Sequence, residues 1–332
     1  MSGFYLRFWP LLTAVLILPL ILPSLASAYE RKPQKPAIVL AVFGTTEPRA
    51  LSAILNVEKK IQKAFPEADV FLGFTSNRVR EVWHERARNK AWRAANKNVP
   101  AELYTIANPL AVMARLQDEG SRPIIVQSLH ITNGTEFDDQ KAIVETLVKI
   151  TAFQESKRPF PWISMGDSAL GRGKTADLEK AAEAMKGWVD EAKSQGAALV
   201  LMGHGNDHVD VKSYREFTSV MVKKYGPMVF MGLVEGKPDF DDLLEAVKKN
   251  GVKKALLAPF MLVAGEHARN DMAGDEDDSL ASRLKAEGIT VKAKLQGLGS
   301  VDAWAQIYVD RIKDQWPAYQ KYLQSSQSAK KH

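Results

Sequence analysis

Eight short, almost wholly apolar runs recur along the chain, separated by longer stretches in which apolar residues return every three to four positions. The runs lie at 37–42 (AIVLAV), 69–73 (DVFLG), 123–128 (PIIVQS), 162–165 (WISM), 197–202 (AALVLM), 228–233 (MVFMGL), 254–259 (KALLAP) and 290–293 (TVKA). Short continuous apolar runs of this kind predict strands buried on both faces, the condition of a parallel sheet. The three-to-four spacing predicts helices over 48–64, 137–150, 176–194, 239–249 and 278–287, with a long amphipathic helix over 301–323. Strand and helix alternating this regularly build βα units, so the pattern predicts an α/β fold with parallel sheets.

The pattern is used twice. The run Ile38 to Thr46 lines up with Ala198 to Gly205, Gly44 falling on Gly203 at an offset of 159, and Val70-Phe71-Leu72-Gly73 matches Val229-Phe230-Met231-Gly232 at the same offset. Ile124 to Glu136 then matches Leu256 to His267, with Gly134 on Gly265 at an offset of 131, which leaves about 28 extra residues in the first half around 80–119. An internal duplication predicts two α/β domains, 37–195 and 196–300, then a C-terminal helix over 301–325 and a disordered tail over 326–332. A chain of 332 residues is long enough to bury both cores.

The first 28 residues carry one charge, Arg7, then the apolar run Phe8 to Leu22 and the small-residue tripeptide Ala26-Ser27-Ala28. This predicts a secretory signal peptide over 1–28, cleaved after Ala28, a short linker over 29–36 and a periplasmic product. The apolar stretch is shorter than the ~20 residues a bilayer requires and is broken by Pro10, Pro19 and Pro23, so no membrane span is expected after cleavage. Composition narrows the chemistry. The chain contains no Cys, which excludes a disulfide framework, a thiolate nucleophile, an iron–sulfur cluster, a Cys-ligated zinc and a lipoprotein anchor. A net charge of +6 favours anionic small molecules without demanding nucleic acid, which export also makes an unexpected partner.

Duplication places the unusual polar residues at strand ends. In open α/β sheets the ligand crevice lies at the carboxyl ends of the strands, where the aligned positions are Thr45 with His204, Ser76 with Glu235, and Glu136 with His267. Two such domains facing each other bring these loops together. His204, Glu235 and His267 follow the first three strands of the second half, and two imidazoles with a carboxylate suit Co²⁺, Ni²⁺, Fe²⁺ or Zn²⁺. Each also has a plainer reading. His204 in Gly-His-Gly caps the next helix, Glu235 before Gly236 and Pro238 is a turn carboxylate, and His267 is satisfied by the acidic cluster Asp271 to Asp278. His208 lacks the HEXXH context of a helical metal pair and reads as a helix-surface or supporting residue.

Three longer stretches carry a family resemblance. Ser128-Leu129-His130-Ile131-Thr132-Asn133-Gly134-Thr135-Glu136, Met202-Gly203-His204-Gly205, and Met261-Leu262-Val263-Ala264-Gly265-Glu266-His267-Ala268-Arg269-Asn270-Asp271-Met272-Ala273 are similar to stretches of the anaerobic sirohydrochlorin cobaltochelatases of the CbiK type. So are Val42-Phe43-Gly44-Thr45, Phe74-Thr75-Ser76 and Gly297-Leu298-Gly299, and the resemblance covers most of 37–315. It implies two flavodoxin-like, doubly wound parallel-sheet domains with a tetrapyrrole held in the cleft between them. The implied activity is a lyase-class, ATP-independent chelatase that inserts Co²⁺, or else Fe²⁺ or Ni²⁺, into sirohydrochlorin with release of two protons. Carried across, the metal ligands are His204, Glu235 and His267, the catalytic residues His204, Glu136 and His267, and the substrate-contacting positions Thr45, Ser76 and His130. The signal sequence and the basic insertion depart from the usual shorter, cytoplasmic form. They keep a second reading open, a periplasmic metal, tetrapyrrole or haem carrier that retains the fold.

The remaining motifs are weaker. Gly171-Arg172-Gly173-Lys174-Thr175 lacks the first glycine of a phosphate loop and reads as the turn before helix 176–194, so no nucleotide is expected. Asp275-Glu276-Asp277-Asp278 lacks EF-hand spacing and reads as a solvated helix start. Segment 78–97 holds seven Arg and Lys against Glu81 and Glu85, with Trp83, His84 and Trp92 interleaved. It predicts a solvated basic helix; the alternatives are steering of an anionic tetrapyrrole, packing against another subunit of a homo-oligomer, and a haem ligated by His84.

Overall fold

The computed structural model describes residues 35–120, 122–153, 158–206 and 212–329, so the expected signal peptide, residues 29–34 of the linker and His208 lie outside the described residues. The strands are β1 (Ala37–Val42), β2 (Asp69–Phe74), β3 (Ile124–Ser128), β4 (Ile163–Gly166), β5 (Ala198–Gly205), β6 (Val229–Glu235), β7 (Lys254–Pro259) and β8 (Thr290–Ala293). They form two four-stranded parallel sheets of the same order, β2-β1-β3-β4 and β6-β5-β7-β8, which is the duplication read from the sequence. Both sheets belong to one compact unit.

Pleating sorts each strand's side chains into layers. In β1, Ile38, Leu40 and Val42 enter one core while Ala37, Val39 and Ala41 enter a second. In β5, Leu199 and Leu201 enter that same first core, and Ala198, Val200 and Met202 a third. One core is therefore common to both sheets, and each sheet has another to itself. No helix among the described residues is long and apolar enough to cross a membrane.

The helices are α1 (Leu51–Ala64), α2 (Asn77–Arg88), α3 (Lys90–Ala95), α4 (Pro109–Gly120), α5 (Thr135–Val148), α6 (Thr175–Ala184), α7 (Lys186–Ser194), α8 (Lys212–Tyr225), α9 (Phe240–Lys249), α10 (Leu280–Ala286) and α11 (Asp302–Ala329). The expected single helix over 176–194 is two. The main chain tightens at Met185, whose N–H donates to Ala182 three residues back, and the bend buries both Met185 and Trp188. The helix after 301 continues through Ala329, past the expected end at 325. No Gly or Pro stops it there, and the hydroxyls of Ser325 and Ser326 donate back to the Tyr322 carbonyl.

Chain order and packing part company at the domain joints. Helix α7, read with the first half, packs on β5 and β7, while α11 packs on β3, β4 and α1. Trp304, Ile307, Tyr308 and Ile312 bury one face of α11. From that face the Tyr308 hydroxyl donates to the Leu129 carbonyl at 2.9 Å, pinning the chain next to His130. Arg311 donates to the Ser168 and Ala169 carbonyls, at 3.1 Å each, and pairs with Asp177 at 2.9 Å.

Glu58 on α1 is half-buried, and that burial, with a smaller push from Glu102, raises its carboxyl from 4.5 to about 7. The folded protein then holds a proton that the unfolded chain has released, so stability falls as pH rises from about 4.5 to about 7. Glu58→Gln should stabilise the protein at pH 8 by on the order of 1–2 kcal/mol, after allowing for solvent screening, and by nothing at pH 4. Urea denaturation at the two pH values measures this, and equal shifts at both would contradict it.

Candidate functional site at the strand ends

Thr45, Ser76, His130, Glu136, His204, Glu235 and His267 all line one cavity of about 440 Å³. Apolar side chains supply most of the rest of its wall, among them Val42, Phe43, Leu129, Phe260 and Leu262. The seven polar residues come from the ends of β1, β2, β3, β5, β6 and β7, so both sheets contribute.

His204 is the next-to-last residue of β5 and Glu235 the last of β6. Between them Gly205 pairs with Glu235 at φ +81°, and a Cβ there would fall 1.8 Å from the Glu235 carbonyl oxygen. Glycine lets the strand ends close, leaving His204 Nδ1 3.7 Å from Glu235 Oε2 and 3.2 Å from the Gly205 carbonyl oxygen. His267 comes from the turn after β7, at the start of a single π-helical turn, Ala268–Met272. Its Nδ1 lies 2.5 Å from Asp271 Oδ2, one turn further on. The two imidazoles meet edge to face, with centroids 4.8 Å apart and an interplanar angle of 89°. Each Nδ1 is turned toward an oxygen, and in the tautomer that donates from Nδ1 the lone pair of Nε2 is left for a metal.

The arrangement is looser than a ready-made metal cage. Among the described residues no three His, Asp or Glu donors are already gathered around one point. The expected histidines and Glu235 are neighbours, and the plainer reading of His267 also holds, since Asp271 satisfies one of its nitrogens.

Other expected residues take distinct places. Glu136 is exposed in the first turn of α5. His130 sets Nδ1 2.9 Å from Ser128 Oγ, and its Nε2 is buried without a partner. Burial pushes the His130 pKa down, against a weaker opposing pull from Glu136, so the ring is neutral. Thr45 Oγ1 accepts from the Glu47 N–H at 3.1 Å, and Ser76 Oγ caps α2 by accepting from the Val79 N–H at 3.3 Å. Both hydroxyls are used in shaping the wall. His84 is not among the residues lining the cavity. It is exposed on α2, with Nε2 2.9 Å from the Ile106 carbonyl oxygen.

The insertion is more than a solvated basic helix. Trp83 is fully buried, contacts Trp92 and Tyr104 edge to face, and donates from Nε1 to the Thr45 carbonyl at 2.8 Å. The Arg86 guanidinium sits 4.8 Å and 4.7 Å from the Trp83 and Trp92 ring centroids and donates to the Thr46 carbonyl. From this braced rim Glu47 pairs with Arg269 at 3.2 Å, and the Thr46 hydroxyl donates to Glu266 at 3.4 Å. The i, i+4 pair Val79 and Trp83 signalled an inner apolar face that the density of charge obscured. The sequence offered Asp271 only as one of a cluster that satisfies His267 in place of a metal, not as a support that orients it, and gave no role to Glu266, a third carboxylate on the cavity wall.

The family of cobalt chelatases named CbiK matches residues 36–316. Sirohydrochlorin cobaltochelatase CbiKC of Nitratidesulfovibrio vulgaris is 28% identical over 296 residues, covering 87% of this chain and 96% of its own. The sirohydrochlorin cobaltochelatase of Salmonella typhimurium is 29% identical over 280 residues, covering 84% and 95% respectively. In fold, the chain is similar to the solved structure of SirB from Bacillus subtilis with Fe³⁺. The TM-score is 0.53 at 14% identity, covering 85% of this chain and 95% of that one.

Asp271→Asn keeps the shape beside His267 and removes the charge. Its Co²⁺ affinity, measured by titration calorimetry, should fall about 10–100-fold, whereas Asp278→Asn should bind as wild type does. Equal affinities for the two variants would remove Asp271 from the support of the site.

Proposed function

The chain belongs to the CbiK family of cobalt chelatases, and on that footing we propose that it inserts Co²⁺ into sirohydrochlorin, exchanging two pyrrole protons for metal–nitrogen bonds without a nucleotide. The observation that carries this reading is the facing pair His204 and His267 beside Glu235, in a cleft whose other lobe presents Glu136. Imidazole nitrogens are good ligands for a borderline divalent ion and can displace its water. An unclosed donor set suits an ion that must be passed on, because each further protein ligand would have to be broken in the transfer.

His204 and His267 present Nε2 to the ion, and Glu235 offsets its charge. Glu136, exposed on the opposite lobe, accepts protons leaving the macrocycle. The apolar wall holds the flat tetrapyrrole core and keeps its acidic arms toward the mouth. The names of both relatives, and the near-complete coverage of each, support sirohydrochlorin as substrate and cobalt as the metal. The charged and apolar pattern ending at Ala28 supports an exported, periplasmic product.

Purified protein mixed anaerobically with sirohydrochlorin and Co²⁺ should convert it faster than the spontaneous reaction, followed by the change in absorption. His204→Ala and His267→Ala should each cut that rate by about two orders of magnitude with the fold intact by circular dichroism. Binding without turnover would favour a carrier, and a near-normal rate in either variant would remove that residue from the mechanism.

A further inference from the structure

Charge is distributed unevenly around the cavity. Glu136, Glu235 and Glu266 line it, and among the described lining residues one side chain is permanently cationic, Arg78. Arg78 is the second residue of α2. Two arginines further along that helix are committed to the scaffold: Arg80 donates to the Phe74 and Thr75 carbonyls, and Arg86 to the Thr46 carbonyl between two tryptophan rings. Arg78 has no such commitment. Its side chain is 75% exposed and approaches Glu81, itself 63% exposed, at 3.8 Å, the long end of an ion pair.

A tetrapyrrole bearing acidic arms meets opposed forces here. Its arms are repelled by three carboxylates in the wall and attracted by one guanidinium at the α2 side, so the two signs together define an orientation. Phe43, 49% exposed and also lining the cavity, offers an aromatic face to the macrocycle from the same lobe. We propose that Arg78 anchors a peripheral carboxylate of the tetrapyrrole and thereby sets which edge of the macrocycle enters the cleft. The identity of the ligand rests on the chelatase reading; the charge argument requires only a flat polyanion. Arg78 acts on the substrate and not on the metal, which lies with His204 and His267.

The test measures binding of metal-free sirohydrochlorin to the full chain by fluorescence quenching, with no metal and no turnover. Relative to wild type, Kd should rise about fivefold in Arg78→Met and about 25-fold in Arg78→Glu, and stay within about twofold in Arg78→Lys. Arg88→Met, which removes an equal charge from an exposed position at the far end of α2, should bind as wild type does. Added salt should weaken wild type more than Arg78→Met, and Co²⁺ affinity in the absence of tetrapyrrole should be the same in all variants. Unchanged binding in Arg78→Glu, or an equal loss in Arg88→Met, would overturn the proposal even if the protein turns over normally. Arg78-dependent binding by a protein that inserts no metal would uphold it and contradict the chelatase reading instead. A wild type that does not bind sirohydrochlorin would overturn both.

Discussion

Each polar residue assigned to the site stands at or just past the carboxyl end of a parallel strand, and the shared direction of those strands is the constraint from which the site follows. The strands themselves have no room for such residues. In β5, Ala198 to Met202 are wholly buried, and His204 comes only where the strand leaves the core; in β6, Val229 to Leu233 are buried before Glu235 emerges. Helical crossovers carry each chain back along the sheet face, so all the strands of one sheet deliver their exits to one edge. Two sheets with the same order therefore present two sets of exits, and the cleft is where they meet.

Holding those edges face to face falls to the shared core more than to the visible ties across the rim. A half-buried rim pair still open to solvent, such as Glu47 with Arg269, contributes on the order of 1 kcal/mol, whereas burying one large apolar side chain contributes about 1.5–3 kcal/mol. Phe260, which follows β7 and lines the cavity, stacks on Phe217 with centroids 4.6 Å apart and meets Trp304 of α11 edge-on at 5.4 Å. The cavity floor is thus continuous with the core that α11 closes. The rim ties then adjust loops whose gross position is already set. Among them the Trp83 and Arg86 brace carries the insertion's influence to Thr45 and Thr46, and so to the loop bearing His267.

Much of this was legible in the sequence because buried parallel strands must be apolar along their length. The runs 37–42 and 254–259 match β1 and β7 residue for residue and are buried except at Lys254; the run 290–293 matches β8, but that strand lies at the edge of its sheet and is largely exposed, not buried on both faces as expected. The polar residues that break the pattern at strand ends, His204, Glu235 and His267 above all, stood out for the same reason. What the sequence hid was set by long-range packing. The bend at Met185 has no proline to announce it, and the crossing of α7 and α11 to the opposite sheets cannot be read from chain order. The insertion misled because its charge dominates its composition, while Trp83, the residue that decides its packing, is one among many polar neighbours.

The central claim is that His204 and His267 hold the incoming ion through Nε2, with each Nδ1 engaged behind it. A crystal structure of the protein soaked with Co²⁺ in the absence of tetrapyrrole tests this most directly. The account predicts cobalt between the two Nε2 atoms, with a Glu235 oxygen or a water completing the near side and Asp271 still on His267 Nδ1. Cobalt bound through Nδ1, or held by the acidic run Asp275 to Asp278 with the two imidazoles left free, would contradict it.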